Sequence, residues 1–207
     1  RRVLFRSNVN VPSIISTNLE QGYFILEDFG DEILLPKLLK ADVQKAERLY
    51  MGCIDQLIKI QLCSEPENFP VYDTDLLNYE MDLFTDWFIN KYLGLTLSSL
   101  ERSLLDKIFL LMIENAQIQP KVLVHRDFHS RNLMELNIFN TSDTSDISDI
   151  SDISIGVIDF QDAVWGPLTY DLISLFRDCY ISWDLKQIKL WTQNYFNQAQ
   201  AKNIINS

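Results

Sequence analysis

Residues 125–132 read His-Arg-Asp-Phe-His-Ser-Arg-Asn, HRDFHSRN, and hold both histidines of the 207-residue chain, His125 and His129. An apolar run, VLVH at 122–125, leads into this polar stretch, and a second, NLMEL at 132–136, leads out of it. Short apolar runs bounded by polar residues read as buried strands. A third such run, IGVIDF at 155–160, carries Asp159 near its end. Strand, polar loop, strand, long connection, strand is an ordered presentation of three side chains. Asp127 follows the first strand, Asn132 opens the second, and Asp159 closes the third. A hairpin of the last two strands sets Asn132 beside Asp159, with Asp127 above them.

An aspartate and an asparagine oxygen meeting at one point suit a hard cation such as Mg²⁺, which takes oxygen ligands and keeps phosphate and water in its shell. Asp127 is then free to orient a hydroxyl and accept its proton. Metal-neutralised phosphates and a placed nucleophile are what phosphoryl transfer requires. The charge balance fits a small nucleotide carried by a metal. With 18 basic and 29 acidic side chains the net charge is -11, which argues against nucleic acid as a partner.

With those residues in place, HRDFHSRN resembles the catalytic loop of protein-kinase-like phosphotransferases, spaced H-x-D-x-x-x-x-N, and IDFQD resembles their metal-binding Asp-Phe-Gly segment. The wording is similar to the aminoglycoside phosphotransferase and choline kinase branch. Within that branch, LEDFGD, YEMDLFTDWF, VHRDFHSRNL and GVIDFQDAVWGPLTYDLISLFRDCY resemble bacterial anomeric sugar kinases acting on N-acetylmuramate and N-acetylglucosamine. The resemblance runs over residues 9–200. It implies an α+β catalytic lobe, mostly helical with short β-hairpins, using ATP and Mg²⁺ on an amino sugar. Asp127 would be the catalytic base, and Asn132 and Asp159 the metal ligands. The backbone at Glu27, Asp28 and Phe29 would meet adenine. His125 would support the loop by hydrogen bonding. Asp171 would brace it, cap its own helix, or do both. For the acceptor the resemblance offers Glu80, Asp162, Arg177 and Asp178, with surface or structural ion pairs as the other reading of the last two. Within the same branch, an aminoglycoside or choline is the alternative acceptor.

The rest of the chain reads as helices around those strands. GYFILEDFG at 22–30 starts as a strand. Asp31 is expected to cap a helix through Lys40, and Asp42 a second, with Ala46, Leu49, Tyr50, Cys53, Leu57 and Ile60 on its buried face. A helix over 76–93 aligns Leu76, Tyr79, Leu83, Trp87 and Phe88, with core packing favoured for the two aromatics. Another over 98–116, capped by Ser98 or Ser99, repeats Leu100, Leu104, Ile108, Leu111 and Met112. Helices are expected over 168–181 and 185–201. TSDTSDISDISDIS at 141–154 has a three-residue period and reads as a solvated, repeat-expanded loop within a hairpin connection at 137–154.

RRVLFRS at 1–7 reads as translated sequencing-adapter sequence and is set aside. Residues 8–30 are then expected to be a remnant of an N-terminal lobe with its hinge, and 31–207 the catalytic lobe. No Gly-x-Gly-x-x-Gly occurs, and the first lysine, Lys37, lies beyond the hinge-like strand. The phosphate-covering loop and strand lysine of the kinase pattern are thus absent, and the chain is expected to be a fragment with little turnover. Two other classes fit parts of the pattern. A pseudokinase or binding module agrees with the missing lysine, though it does not require Asp127, Asn132 and Asp159 to be intact. A zinc hydrolase agrees with His-x-Asp-x-His but lacks a third histidine. Cys53, Cys63 and Cys179 match no zinc spacing and are expected to be buried free thiols in the cytosol. No apolar run reaches membrane-spanning length.

Overall fold

The computed structural model describes residues 8–64, 67, 69–136 and 153–205. Tyr23–Leu26 (β2) folds back antiparallel on Ile14–Asn18 (β1), with a bulge between Ile14 and Ser16. Two helices follow, Leu34–Leu39 (α1) and Val43–Gln61 (α2). Thr74–Leu83 (α3) continues into a π-helical segment, Phe84–Tyr92, and then comes Ser99–Gln117 (α4). Four short strands surround the loops of interest: Lys121–Val124 (β3), Leu133–Leu136 (β4), Ser154–Val157 (β5) and Val164–Pro167 (β6). Tyr170–Phe176 (α5) and Leu185–Ala201 (α6) complete the order.

The strands pair in a nested way. β4 pairs with β5, Leu133 opposite Val157 and Leu136 opposite Ser154. β3 pairs with β6, Lys121 opposite Pro167 and Val124 opposite Val164. The β3–β4 and β5–β6 connections therefore leave their hairpins on the same side and face each other. β6 was not among the strands expected from the sequence. Its place is fixed by close packing: a Cβ at Gly166 would lie 2.9 Å from the Cβ of Tyr72.

The main core lies between α2, α6 and these hairpins. Leu49, Tyr50, Cys53, Ile54 and Leu57 of α2 are fully buried against Val157, Leu175, Trp191 and Tyr195. Tyr50 stacks 4.4 Å from Trp191 and accepts a 3.0 Å hydrogen bond from the indole of Trp183. Buried aromatic pairs of this kind add specific ring contacts to the burial of large apolar area. A second core under α3 and α4 joins Tyr72, Leu77, Ile113, Val122 and Val164. Asp42 caps α2 through the Lys45 amide, and Ser98 with Glu101 forms a reciprocal capping box on α4.

Several expectations change. Asp31 caps nothing. Helix α1 starts at Leu34, and the carbonyl of Ser130 in the loop after β3 takes the Leu35 amide at 3.0 Å. The helix expected over 168–181 is the shorter α5. Trp87 and Phe88 are exposed rather than core, as are Leu100, Leu104, Ile108, Leu111 and Met112. The buried side of this region instead carries Leu77, Thr85, Ile89, Phe109 and Ile113. Cys53 and Cys63 are buried, but Cys179 is exposed. No helix of the described residues is long and apolar enough to cross a membrane. The expected scar at 1–7 and most of the loop at 137–154 lie outside the described residues.

Candidate active site

The loop between β3 and β4 is held at both ends. At its start, the fully buried Asp171 of α5 accepts from the backbone amides of His125 and Arg126, at 2.7 and 3.0 Å. Its carboxylate thus serves the loop, not its own helix. Burial pushes its pKa up to about 7, while those two amides pull the other way. At the far end, Asp178 accepts from the Ser130 amide at 3.0 Å and the Tyr180 amide at 2.9 Å. Also at its start, the imidazole Nε2 of His125 donates to the Ile158 carbonyl at 2.9 Å, joining the loop to the end of β5. Burial lowers the His125 pKa to about 4, against that carbonyl and the charges of Asp127 and Asp159. The ring is therefore neutral near pH 7, which suits a donor to a carbonyl and not a proton shuttle.

The three polar residues of interest are brought together by backbone bonds. The side-chain amide of Asn132 donates to the main-chain carbonyl of Asp127 at 3.0 Å, and the Asn132 carbonyl accepts from the Ile158 amide at 3.0 Å. Asp127, Asn132 and the residue preceding Asp159 are thus linked through one asparagine. Asp159 is exposed, with a left-handed backbone at φ 65°, and accepts from the Gln161 side chain at 2.5 Å. A non-glycine residue in that region is sparsely populated and marks a constrained position.

Asp159 lies in a cleft of about 320 Å³. Pro12, Leu26, Glu27, Asp28, Phe29 and Gly30 line it together with Met134, Ile158, Asp159, Phe160 and Gln161. The segment expected to meet a purine and the residue expected to meet a metal share this one cavity. Phe29 packs on the β4–β5 hairpin so tightly that a Cβ at Gly156 would lie 2.7 Å from its ring. Glu27 turns back on Ser13, accepting from its hydroxyl at 2.6 Å and its amide at 3.0 Å, which holds its pKa below the usual carboxylate range. The Asp28 carboxylate accepts from the Gly30 amide at 2.7 Å. Asp159 brings a carboxylate to the cleft, and Asn132, one hydrogen-bonded link away through Ile158, keeps its side-chain oxygen while its NH₂ donates to Asp127; hard oxygen donors of this kind fit Mg²⁺ with a phosphate completing the shell. Among the described residues, no three His, Cys, Asp or Glu side chains form a metal-binding group, so they offer zinc no ligand set.

The acceptor candidates separate. Glu80 is engaged by Arg126, Tyr72 and Tyr170, and Asp178 by the loop backbone, so both carboxylates serve protein partners. Asp162 and Arg177 are exposed. Arg131 donates to the Tyr180 hydroxyl at 3.3 Å and lies over that ring, and His129 meets the ring edge-on at 5.6 Å. Sequence reasoning missed the partners of Arg126. The signal available was an arginine beside an exposed aspartate in a mostly buried loop, which calls for a counter-charge.

The profile of the phosphotransferase enzyme family matches residues 1–202. The chain belongs to that family. The chain is 38% identical over 202 residues to an N-acetylmuramate/N-acetylglucosamine kinase of Pseudomonas putida, covering 98% of the chain and 54% of that relative. It is 32% identical over 197 residues to the kinase of the same description from Neisseria meningitidis serogroup B, covering 95% and 54%. The chain thus spans about half the length of these curated relatives. In structure it resembles an ADP-bound aminoglycoside phosphotransferase APH(2'')-Ib, with TM-score 0.62, 17% identity, and 98% of this chain on 66% of that one. It also resembles a Plasmodium vivax ethanolamine kinase, with TM-score 0.64, 15% identity, and 98% on 58%. The fold is the helical catalytic lobe of kinase-like phosphotransferases, an α+β arrangement.

Proposed function

We propose that this phosphotransferase is the catalytic lobe of an ATP-dependent sugar kinase acting on the anomeric hydroxyl of N-acetylmuramate or N-acetylglucosamine, in the cytoplasm. The observation that carries the reading is the linkage of Asp127, Asn132 and Ile158, the residue before Asp159, through one asparagine beside the cleft that Asp159 shares with Glu27, Asp28 and Phe29. The two curated relatives, both described as N-acetylmuramate/N-acetylglucosamine kinases, support the choice of acceptor.

In this reading the backbone at Glu27 to Phe29 receives the purine, and Asn132 and Asp159 hold Mg²⁺. Bound there, the metal neutralises charge on the nucleotide phosphates. Asp127 orients the sugar hydroxyl and accepts its proton as the oxygen attacks the terminal phosphorus and the bond to ADP breaks. Asp162 and Arg177 face the acceptor, the arginine suited to a carboxylate on the sugar. His125 and Asp171 hold the loop in place.

A substrate panel on the full-length kinase tests this: N-acetylmuramate, N-acetylglucosamine, an aminoglycoside and choline. Phosphate is expected on the anomeric oxygen of the amino sugars. Asp127→Asn is expected to lower kcat by about 10²- to 10⁴-fold with KM nearly kept, the range for a positioned general base. Turnover of only the aminoglycoside or choline would replace the acceptor assignment. An unimpaired Asp127→Asn enzyme would remove the mechanism. The 207 residues alone, lacking a glycine-rich phosphate loop, are expected to turn over slowly if at all.

A further inference from the structure

We propose that Glu80 of α3, acting through Arg126, is a positioning residue that locks the turn presenting Asp127. Arg126 has φ 77°, a left-handed backbone that a non-glycine residue keeps only when its surroundings hold it there. Asp171 holds the amide side of this turn, and Glu80 holds the side chain. One Glu80 oxygen pairs with the Arg126 guanidinium at 2.5 Å. The other accepts hydrogen bonds from Tyr72, and from Tyr170 at 3.2 Å. The guanidinium lies over the Tyr72 ring, 5.7 Å from its centroid.

The tyrosines are themselves fixed. Tyr72 is fully buried, its amide donates to the Trp165 carbonyl at 2.8 Å, and its carbonyl accepts from the Gln117 side chain at 3.0 Å. Its ring packs 5.2 Å from that of Tyr170. Glu80 therefore joins α3, the strand β6 neighbourhood and α5 to the single residue before Asp127. A carboxylate that three protein donors hold in place contributes here through geometry. The pair is partly shielded, with side chains 26% and 17% exposed, which leaves its attraction less screened than at a free surface. That the presented carboxylate acts as a base rests on the function proposed above; the brace itself does not.

Two measurements on Glu80→Gln test it. Gln still accepts from the tyrosines but removes the charge. In the 207-residue chain, amide hydrogen exchange at Arg126 and Asp127 is expected to quicken about tenfold, while α2 amides keep their protection. In the full-length kinase, kcat is expected to fall by about ten- to a hundredfold with nucleotide KM within about twofold, the signature of a misplaced group. Arg126→Lys should behave alike, and the double variant no worse than the more impaired single, as for residues acting as a unit. If Arg126→Lys fails to fold, Glu80→Gln alone decides. Unchanged exchange overturns the brace, whatever the enzyme does. Faster exchange with unchanged kcat overturns it too, provided Asp127→Asn silences the enzyme. If Asp127→Asn is fully active, the proposed reaction fails instead, and exchange still decides the brace.

Discussion

His125 and Asp171 are neighbours with opposite responses to acid. His125 has its folded pKa depressed from 6.5 to about 4, so the unfolded chain binds a proton that the folded chain refuses. That contribution weakens the fold as pH falls through this window. Asp171 has its folded pKa raised from 3.8 to about 7, so its contribution is complete below 3.8 and is lost as pH rises through 7. The two largely offset each other in the wild-type chain. Removing either exposes the other. Between pH 7.5 and pH 5, His125→Gln should gain stability and Asp171→Asn should lose it, each by roughly 2 kcal/mol relative to wild type. Urea unfolding at the two pH values measures this, and a shared sign would contradict the assignment. At this scale the placement of Asp127, Asn132 and Asp159 at the ends of the paired strands was legible, because short apolar runs flank each of them. Glu80 and Asp178 were not. Their partners lie 46 and 48 residues away, and a carboxylate bound for a buried amide looks the same in sequence as one bound for a sugar.

Elements were legible where the periodic signal had a single cause. Helix α2 came out with its cap and buried face because Asp42 and an unbroken apolar stripe agree. Beyond Leu83 the backbone widens into the π-helical segment, where Leu93 bonds back to Phe88, so a period of 3.6 no longer tracks one face. Trp87 and Phe88 consequently turn to solvent, and a lysine, Lys91, covers the Trp87 ring at 3.5 Å. The β4–β5 hairpin makes the opposite demand, since Phe29 reaches it only because residue 156 has no side chain. Gly156→Ala is expected to destabilise by about 1–3 kcal/mol through overpacking. It should also weaken nucleotide binding, since Phe29 must leave the cleft wall. Isothermal titration with a magnesium nucleotide on the full-length protein, beside thermal unfolding, reads both effects. Unchanged affinity with lowered stability would detach Phe29 from the nucleotide.

On the scale of the molecule, two cores flank the loops, and the strands that carry them are nested. The order of motifs foretold this lobe, but the pairing of β3 with β6 depends on contacts across more than forty residues, which no local pattern records. The same nesting has a genetic consequence. Register between Leu136 and Ser154 closes the β4–β5 hairpin, so the site is insulated from the length of the connection at 137–153. Each doubling of a flexible connection costs only about 0.6 kcal/mol. Deleting one Ser-Asp-Ile triplet from the tract at 141–154 should therefore shift unfolding free energy by less than about 0.5 kcal/mol, as chemical denaturation would show. Copy number in that tract can then drift between generations almost unseen by selection, while a single inserted residue inside Leu133–Leu136 would turn every side chain of the strand to the wrong face.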